Sequence, residues 1–255
     1  MRTANVILAV AGTLAAASVA SASVIAQIEV IASDASTGEM IGSHTWTTSV
    51  APDGSFTWGV TNGSNPNAWV LDPADPQNSP RVDGVSFSWA HDPAVNANFN
   101  VTAGISNTTF TVNSSFVSFG TINPAIGLAT AAVGVTDSAT FGDVGAITLV
   151  GLQPGGNLFS ARFNGSSQTF ADLILGSTVG VAPGGSTSFT GNNASFPGYD
   201  ALPGGSADDM QSQFKFTLSR FDRASGTSTF EIIPAPGAAA MFGIAGLLAG
   251  RRRRS

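Results

Sequence analysis

Proton-transfer chemistry has little to work with in this chain. Its two histidines are His44 and His91, and a serine nucleophile needs an imidazole, itself oriented by a carboxylate, to take its proton. His91 adjoins Asp92 in "SWAHDPA", but neighbours on an extended strand point to opposite sides, so they form no ready pair unless the strand has ended. His44 adjoins Thr45 and Trp46 in a strand-like stretch. No Gly-x-Ser-x-Gly elbow occurs, and the Gly-rich turns lack the strand-to-helix setting of a phosphate loop. Cysteine is absent, which removes thiol catalysis, iron–sulfur clusters and thiolate metal sites together. No catalytic residue and no cofactor is expected.

Carboxylates are more plentiful. Thirteen of the sixteen acids are Asp, a residue whose short side chain bonds nearby backbone and favours turns. Glycosidases need two carboxylates flanking a bond, and no pair stands out by spacing. Calcium takes carboxylate and carbonyl oxygens from loops. "LDPADPQNS" offers Asp72 and Asp75, with Asn78, as the first candidates, and "SADDM" offers Asp208 and Asp209. Tryptophans can stack on sugar rings. Trp46, Trp58 and Trp89 lie in strand-like stretches, where burial is the default, whereas Trp69 lies in "NPNAWVLDP" and is the one expected to be exposed as a sugar contact.

The elements that would position these residues are strands. "GVSFSWA", "NFNVTA", "TTFTVN", "QFKFTLSR" and "STFEII" alternate apolar and polar residues with a period of two, the mark of a half-buried strand. Residues 98–113 read as a hairpin joined at "GISN", and "DDMQSQ" as a loop feeding the strand after it. Turn clusters such as "PDGS", "NGSNPNA", "APGGSTS" and "LPGGSADD" separate the strands. Residues 62–81 and 176–209 read as long loops or edges. The expected fold is an all-β, antiparallel β-sandwich or jelly roll, a single domain over residues 23–233.

Charge is unevenly placed. The formal charge is −6, but Arg2 and Arg251 to Arg254 lie in the terminal segments. Between residues 23 and 234 five bases face all sixteen acids, a net of −11. Such a body repels polyanions, so nucleic acid is not an expected partner.

The two ends read as addresses. Arg2, an apolar run from Val6 to about Val19 and then Ala20-Ser21-Ala22 have the layout of a secretory signal peptide over residues 1–22, cut by signal peptidase between Ala22 and Ser23. At the other end Pro234-Ala235-Pro236 stops a strand. Gly237 to Gly250 is free of charge, and Arg251, Arg252, Arg253 and Arg254 follow. As a helix the apolar run spans about 21 Å at 1.5 Å per residue, short of a ~30 Å hydrocarbon core unless the arginines snorkel. Residues 234–255 resemble a PEP-CTERM sorting signal of Gram-negative bacteria, with Ala235 where the family name has Glu. The resemblance implies transient insertion of a short transmembrane helix, recognition by an exosortase-type membrane protease, cleavage near Pro236, and release or attachment at the cell surface, often beside exopolysaccharide.

The expectation is therefore an exported, non-catalytic protein of the cell surface or extracellular matrix, structural or adhesive in role. A carbohydrate- or calcium-binding jelly roll is the alternative, and a secreted hydrolase on the same fold the third reading.

Overall fold

A computed structural model of the 255-residue chain describes residues 25–49, 56–61, 69–90, 93–138, 146–165 and 167–237. The signal segment with Ala22 and Ser23, His91, Asp92, and the C-terminal segment with Arg251 to Arg254 lie outside the described residues. Among those described, no helix is long and apolar enough to cross a membrane.

In chain order the strands are β1 (Ile25–Asp34), β2 (Met40–Ser49), β3 (Phe56–Thr61), β4 (Arg81–Ala90), β5 (Ala94–Thr102), β6 (Thr108–Ser114), β7 (Val117–Ile122) and β8 (Ala125–Thr136). They continue as β9 (Ala146–Gly151), β10 (Asn157–Phe163), β11 (Gln168–Leu175), β12 (Ser177–Gly180), β13 (Ser186–Asn192), β14 (Asp200–Ala201), β15 (Ala207–Leu218) and β16 (Arg223–Pro234). They form two antiparallel sheets. The first runs β11-β10-β15-β6-β1-β2, with β7, β9 and β12 attached. The second runs β13-β8-β16-β5-β4-β3, with β14 against β8.

Alternation explains why these residues sandwich. Two of the three longest strands, β8 and β16, turn every second side chain inward over most of their length. Side chains that follow one another along a strand must face opposite sides of the sheet, so an apolar residue at every second position buries one face and solvates the other. The buried side chains make one continuous cluster. At its centre Phe99 of the second sheet meets Phe214 edge-on and Phe216 face-on, with ring centroids 4.9 and 5.6 Å away. Phe110 and Phe159 extend the cluster along the first sheet.

Two local expectations are corrected, and the third, for residues 176–209, resolves to its edge alternative. Residues 98–113 are not a hairpin, because β5 belongs to the second sheet and β6 to the first, and the intervening residues cross the end of the sandwich. Period-two alternation is satisfied equally by a hairpin and by such an arch. The arch is held by bonds that lie far away in sequence: the Ile105 N–H donates to Asn78 O at 2.8 Å and the Phe221 N–H to Gly104 O at 2.9 Å. "DDMQSQ" is the first half of β15, paired with β7 and β10 rather than looped. Within residues 176–209 lie β12, β13 and β14, of which β13 extends the second sheet along β8.

Candidate functional site

Three connections converge at the end of the sandwich crossed by the β5–β6 arch and enclose a cleft of about 520 Å³. The β1–β2 turn contributes Asp34, Thr37 and Glu39, with Met40 and Ile41 following. The segment before β4 contributes Asp72, Asp75, Asn78, Ser79 and Pro80, and the arch contributes Gly104, Ile105 and Ser106.

Asp34 organises the first wall. One carboxylate oxygen accepts the Ser36 and Thr37 N–H groups at 2.8 and 3.0 Å and both of their hydroxyls, an Asx turn. The other accepts the Ser106 hydroxyl at 2.8 Å, tying the turn to the arch. The Ser36 hydroxyl above all, then Ser106 and the backbone donors, hold the Asp34 carboxyl well below the usual carboxylate range. At neutral pH it is an ionised acceptor and not a proton donor.

The second wall is built by its own polar side chains. Asp72 Oδ1 accepts the Ala74 N–H at 2.9 Å, and the Ser79 hydroxyl accepts the Asp72 N–H at 2.7 Å. Asn78 Nδ2 donates to both oxygens of Asp75, at 3.2 and 3.1 Å. The arch lies close on this wall because residue 104 is glycine: a β-carbon there would stand 2.5 Å from Asn78 O. Met40 and Ile105, 63% and 57% exposed, place apolar surface at the rim.

The cleft is thus a concavity with acidic and neutral acceptors, hydroxyl groups and an apolar edge. Its volume lies in the ~300–1,000 Å³ range of small-molecule sites. Among the described residues four carboxylates and no base line it, so it favours hydroxyl donors and cations over anions.

The structure brings Asp72 and Asp75 to one cleft and puts Asp208 and Asp209 elsewhere. Asp209 accepts the Gly165 N–H and so belongs to the β10–β11 turn. Among the described residues no three His, Cys, Asp or Glu side chains gather where a metal ion could be held. Sequence reasoning passed over Asp34, Glu39 and Ser106. "DASTGE" does carry the signature of an Asx turn closed by a glycine, here Gly38 at φ 73°, but only the arch brings residue 106 to it.

Trp69, expected to be exposed, is half-buried. Its ring meets Trp46 edge-on at 5.7 Å, while Trp58 and His44 approach Trp46 at 6.4 and 4.3 Å. Its carbonyl accepts the Val82 N–H at 3.1 Å, fixing the segment along β4. Packing against this cluster desolvates the His44 imidazole and lowers its pKa. Trp46 and Trp89 are buried.

No family model matches the chain, and no curated protein matches it significantly. Among solved structures, a CBM61 module in complex with β-1,4-galactotriose is 12% identical, over 61% of this chain and 88% of the module, at a TM-score of 0.22. The C-terminal CBM6 module of a marine laminarinase from Zobellia galactanivorans is 14% identical, over 68% and 98%, at 0.21. The K1 cleaved adhesin domain of Lys-gingipain from Porphyromonas gingivalis is 12% identical, over 72% and 95%, at 0.25. Likenesses this remote carry no argument about function.

Proposed function

We propose that this is an exported, non-catalytic protein of the cell surface or extracellular matrix, adhesive in role, whose β-sandwich binds carbohydrate in the cleft between Asp34, Asp75 and Ile105. The observation that carries the reading is the make-up of that cleft. Acceptors fixed by their own turns can take hydrogen bonds from sugar hydroxyls without reorganising, and the Met40 and Ile105 side chains offer apolar surface to the carbon face of a ring. Calcium finds less support, because among the described residues no three acidic or histidine side chains gather closely enough to hold an ion.

The ends supply the route. Signal peptidase would cut between Ala22 and Ser23, and an exosortase-type protease would act near Pro234-Ala235-Pro236 while the apolar segment and Arg251 to Arg254 hold the chain at the inner membrane. Pro234 closes β16, and the exposed Pro236 lies just outside the sheet, where a protease can reach it. The body would then be released or attached at the surface, beside exopolysaccharide.

The test is a glycan-array screen of the exported protein, followed by titration of any hit against Glu39→Ala and Asp72→Ala. Affinity is expected to fall at least fivefold in each. A silent array, or variants that bind like the parent, overturns the binding reading. Mass spectrometry of the surface form decides the sorting: a chain that still carries "GIAGLLAGRRRR" refutes it.

A further inference from the structure

The outer side of the second sheet is built differently from that of the first. On the first sheet Glu29, Lys215, Arg162 and Asp172 interrupt the outward positions of β1, β15, β10 and β11. On the second, strand register aligns short uncharged side chains in rows that cross the sheet. One row runs Thr57, Ser88, Asn96, Thr229, Thr130, Asn192 over six strands. The next passes from Gly59 through Ser86, Asn98 and Thr227 to Ala132 and Thr190. A third holds Asn100, Ser225 and Ser188. Among the described residues, charge on this face appears past the rows, at Glu231 on one side and at Arg81, Asp83 and Arg223 on the other.

The rows are partly pre-ordered. The Thr229 hydroxyl donates to Asn96 Oδ1 at 2.7 Å, and Asn96 and Asn98 donate through Nδ2 to Ser88 and Ser86 at 3.2 and 2.8 Å. A carboxamide has two N–H donors and an oxygen with two lone pairs, and a hydroxyl both donates and accepts, so each group keeps capacity beyond these bonds. A depression of about 230 Å³ opens where Gly59 and Gly84 leave out side chains beside Ser86, Asn98 and Asn100.

We infer that this face is a second binding surface, for an extended, uncharged polysaccharide chain. Six strands at ~4.8 Å spacing give each row a reach of about 24 Å, with rows about 6.8 Å apart, enough for several sugar units. A polyanion meets a body of net charge −11 and finds no cation in the rows. A polycation finds no carboxylate there. A protein partner would want aromatic or arginine anchors in pockets, and the three rows hold none. A neutral, hydroxyl-rich polymer is what matches a field of hydroxyls and amides, with many weak contacts summed along one chain. The surface lies on a sheet face and not in the cleft, so it stands or falls separately.

Affinity electrophoresis tests it, using the exported protein in native gels cast with dextran, hydroxyethyl cellulose or alginate. Retardation is expected in at least one neutral polymer and not in alginate. Thr227→Glu should weaken it at least fivefold. Thr47→Glu, the same charge change at an exposed position of β2 on the other sheet, should leave it intact. Glu39→Ala in the cleft should also leave polymer retardation unchanged, and free trisaccharide should not compete for it, which separates this surface from the cleft. If Thr227→Glu fails to fold by thermal melt, Asn100→Asp, at an exposed position of the third row, repeats the test. The inference falls if neither neutral polymer retards the parent, if the two Glu variants behave alike, or if sedimentation shows that Thr227→Glu splits a dimer, which would make the face a contact between copies of this chain.

Discussion

The ring of Phe99 occupies the space that any side chain at Gly226 would need. The two residues are paired across β5 and β16, and a β-carbon on Gly226 would stand 2.2 Å from Phe99 Cε1 and 2.5 Å from its Cζ. Phe99 cannot yield easily, since Phe214 and Phe216 pack against it and only 3% of its surface is exposed. Gly226→Ala is therefore expected to cost about 3 kcal/mol, the upper end for an overpacked core, read from urea unfolding. Gly120→Ala, where no atom lies within 4 Å of the new carbon, should change stability by less than ~0.5 kcal/mol. Equal effects would mean that the core is looser than this packing implies.

Acid should weaken the fold through Asp34 and Asp200. Asp34 is depressed by Ser36 and Ser106, and Asp200 by the Asn193 amide and the Ser195 hydroxyl and N–H. A carboxyl whose folded pKa lies below its unfolded value of ~3.9 contributes stability that is fully present above that value. It loses that contribution as pH falls through the folded one. Asp34→Ala and Asp200→Ala should each lower Tm at pH 7, and the gap to the parent should narrow steadily as pH falls below about 4. A gap that stays constant with pH would show that neither carboxylate is the source.

The strands themselves were legible in the sequence, because alternation of Phe, Val and Leu with Ser, Thr and Asn is a local signal that any half-buried strand must carry. How strands combine was not. The hairpin expected at residues 98–113 is an arch between sheets, since the same alternation fits both and the contacts that decide it, Ile105 to Asn78 and Phe221 to Gly104, are remote in sequence. Asp72 and Asp75 were visible as an acidic loop. Their neighbours Asp34 and Ser106 were not, because each looks like an ordinary turn residue until β1, the loop and the arch meet. The rows of the second sheet were hidden for the same reason: an array needs a register, and each strand contributes only one short polar residue to a row.

Trp69 should matter to the fold before it matters to a ligand. It is half-buried against Trp46 and carries the carbonyl that fixes the chain to Val82. Replacing a fully buried Trp by Ala costs about 3–5 kcal/mol, and partial exposure scales that down. Trp69→Ala is expected to lose roughly 2 kcal/mol by urea unfolding, with a red shift of the Trp46 contribution to the emission as that ring is uncovered. Unchanged stability together with lost glycan affinity would instead make Trp69 a sugar platform.

Millimolar calcium and EDTA should both leave Tm unchanged to within about 1 °C, since a bound ion would raise it by mass action. Asp72 and Asp75 keep free lone pairs beside the Ala74 N–H and the Asn78 amide, but among the described residues no third carboxylate or histidine gathers with them to complete a set of ligands. A saturable rise in Tm with calcium, abolished in Asp75→Ala, would reverse this assignment.

The proposed sorting signal begins at Pro234, the last residue of β16, and that boundary can be tested by truncation. Phe230 and Ile232 are fully buried, and β16 pairs with both β5 and β8 as far as Glu231 and with β8 alone to Pro234. The Ile232 N–H donates to Pro93 O at 2.8 Å, and the Ala235 N–H to Pro124 O at 2.9 Å. A chain ending at Pro236 keeps all of these, so it should melt within about 2 °C of the full chain, the change expected when no buried contact is lost. A chain ending at Thr229 gives up two buried side chains and the last five of the twelve residues of a central strand. At roughly 3–5 kcal/mol for the Phe and 2–5 for the Ile, that loss approaches the whole stability of a marginal domain. Circular dichroism of the two truncations should show one folded and one unfolded protein. Were the Pro236 form unfolded as well, a cut near Pro236 could not release a working body, and the sorting proposal would fail with it.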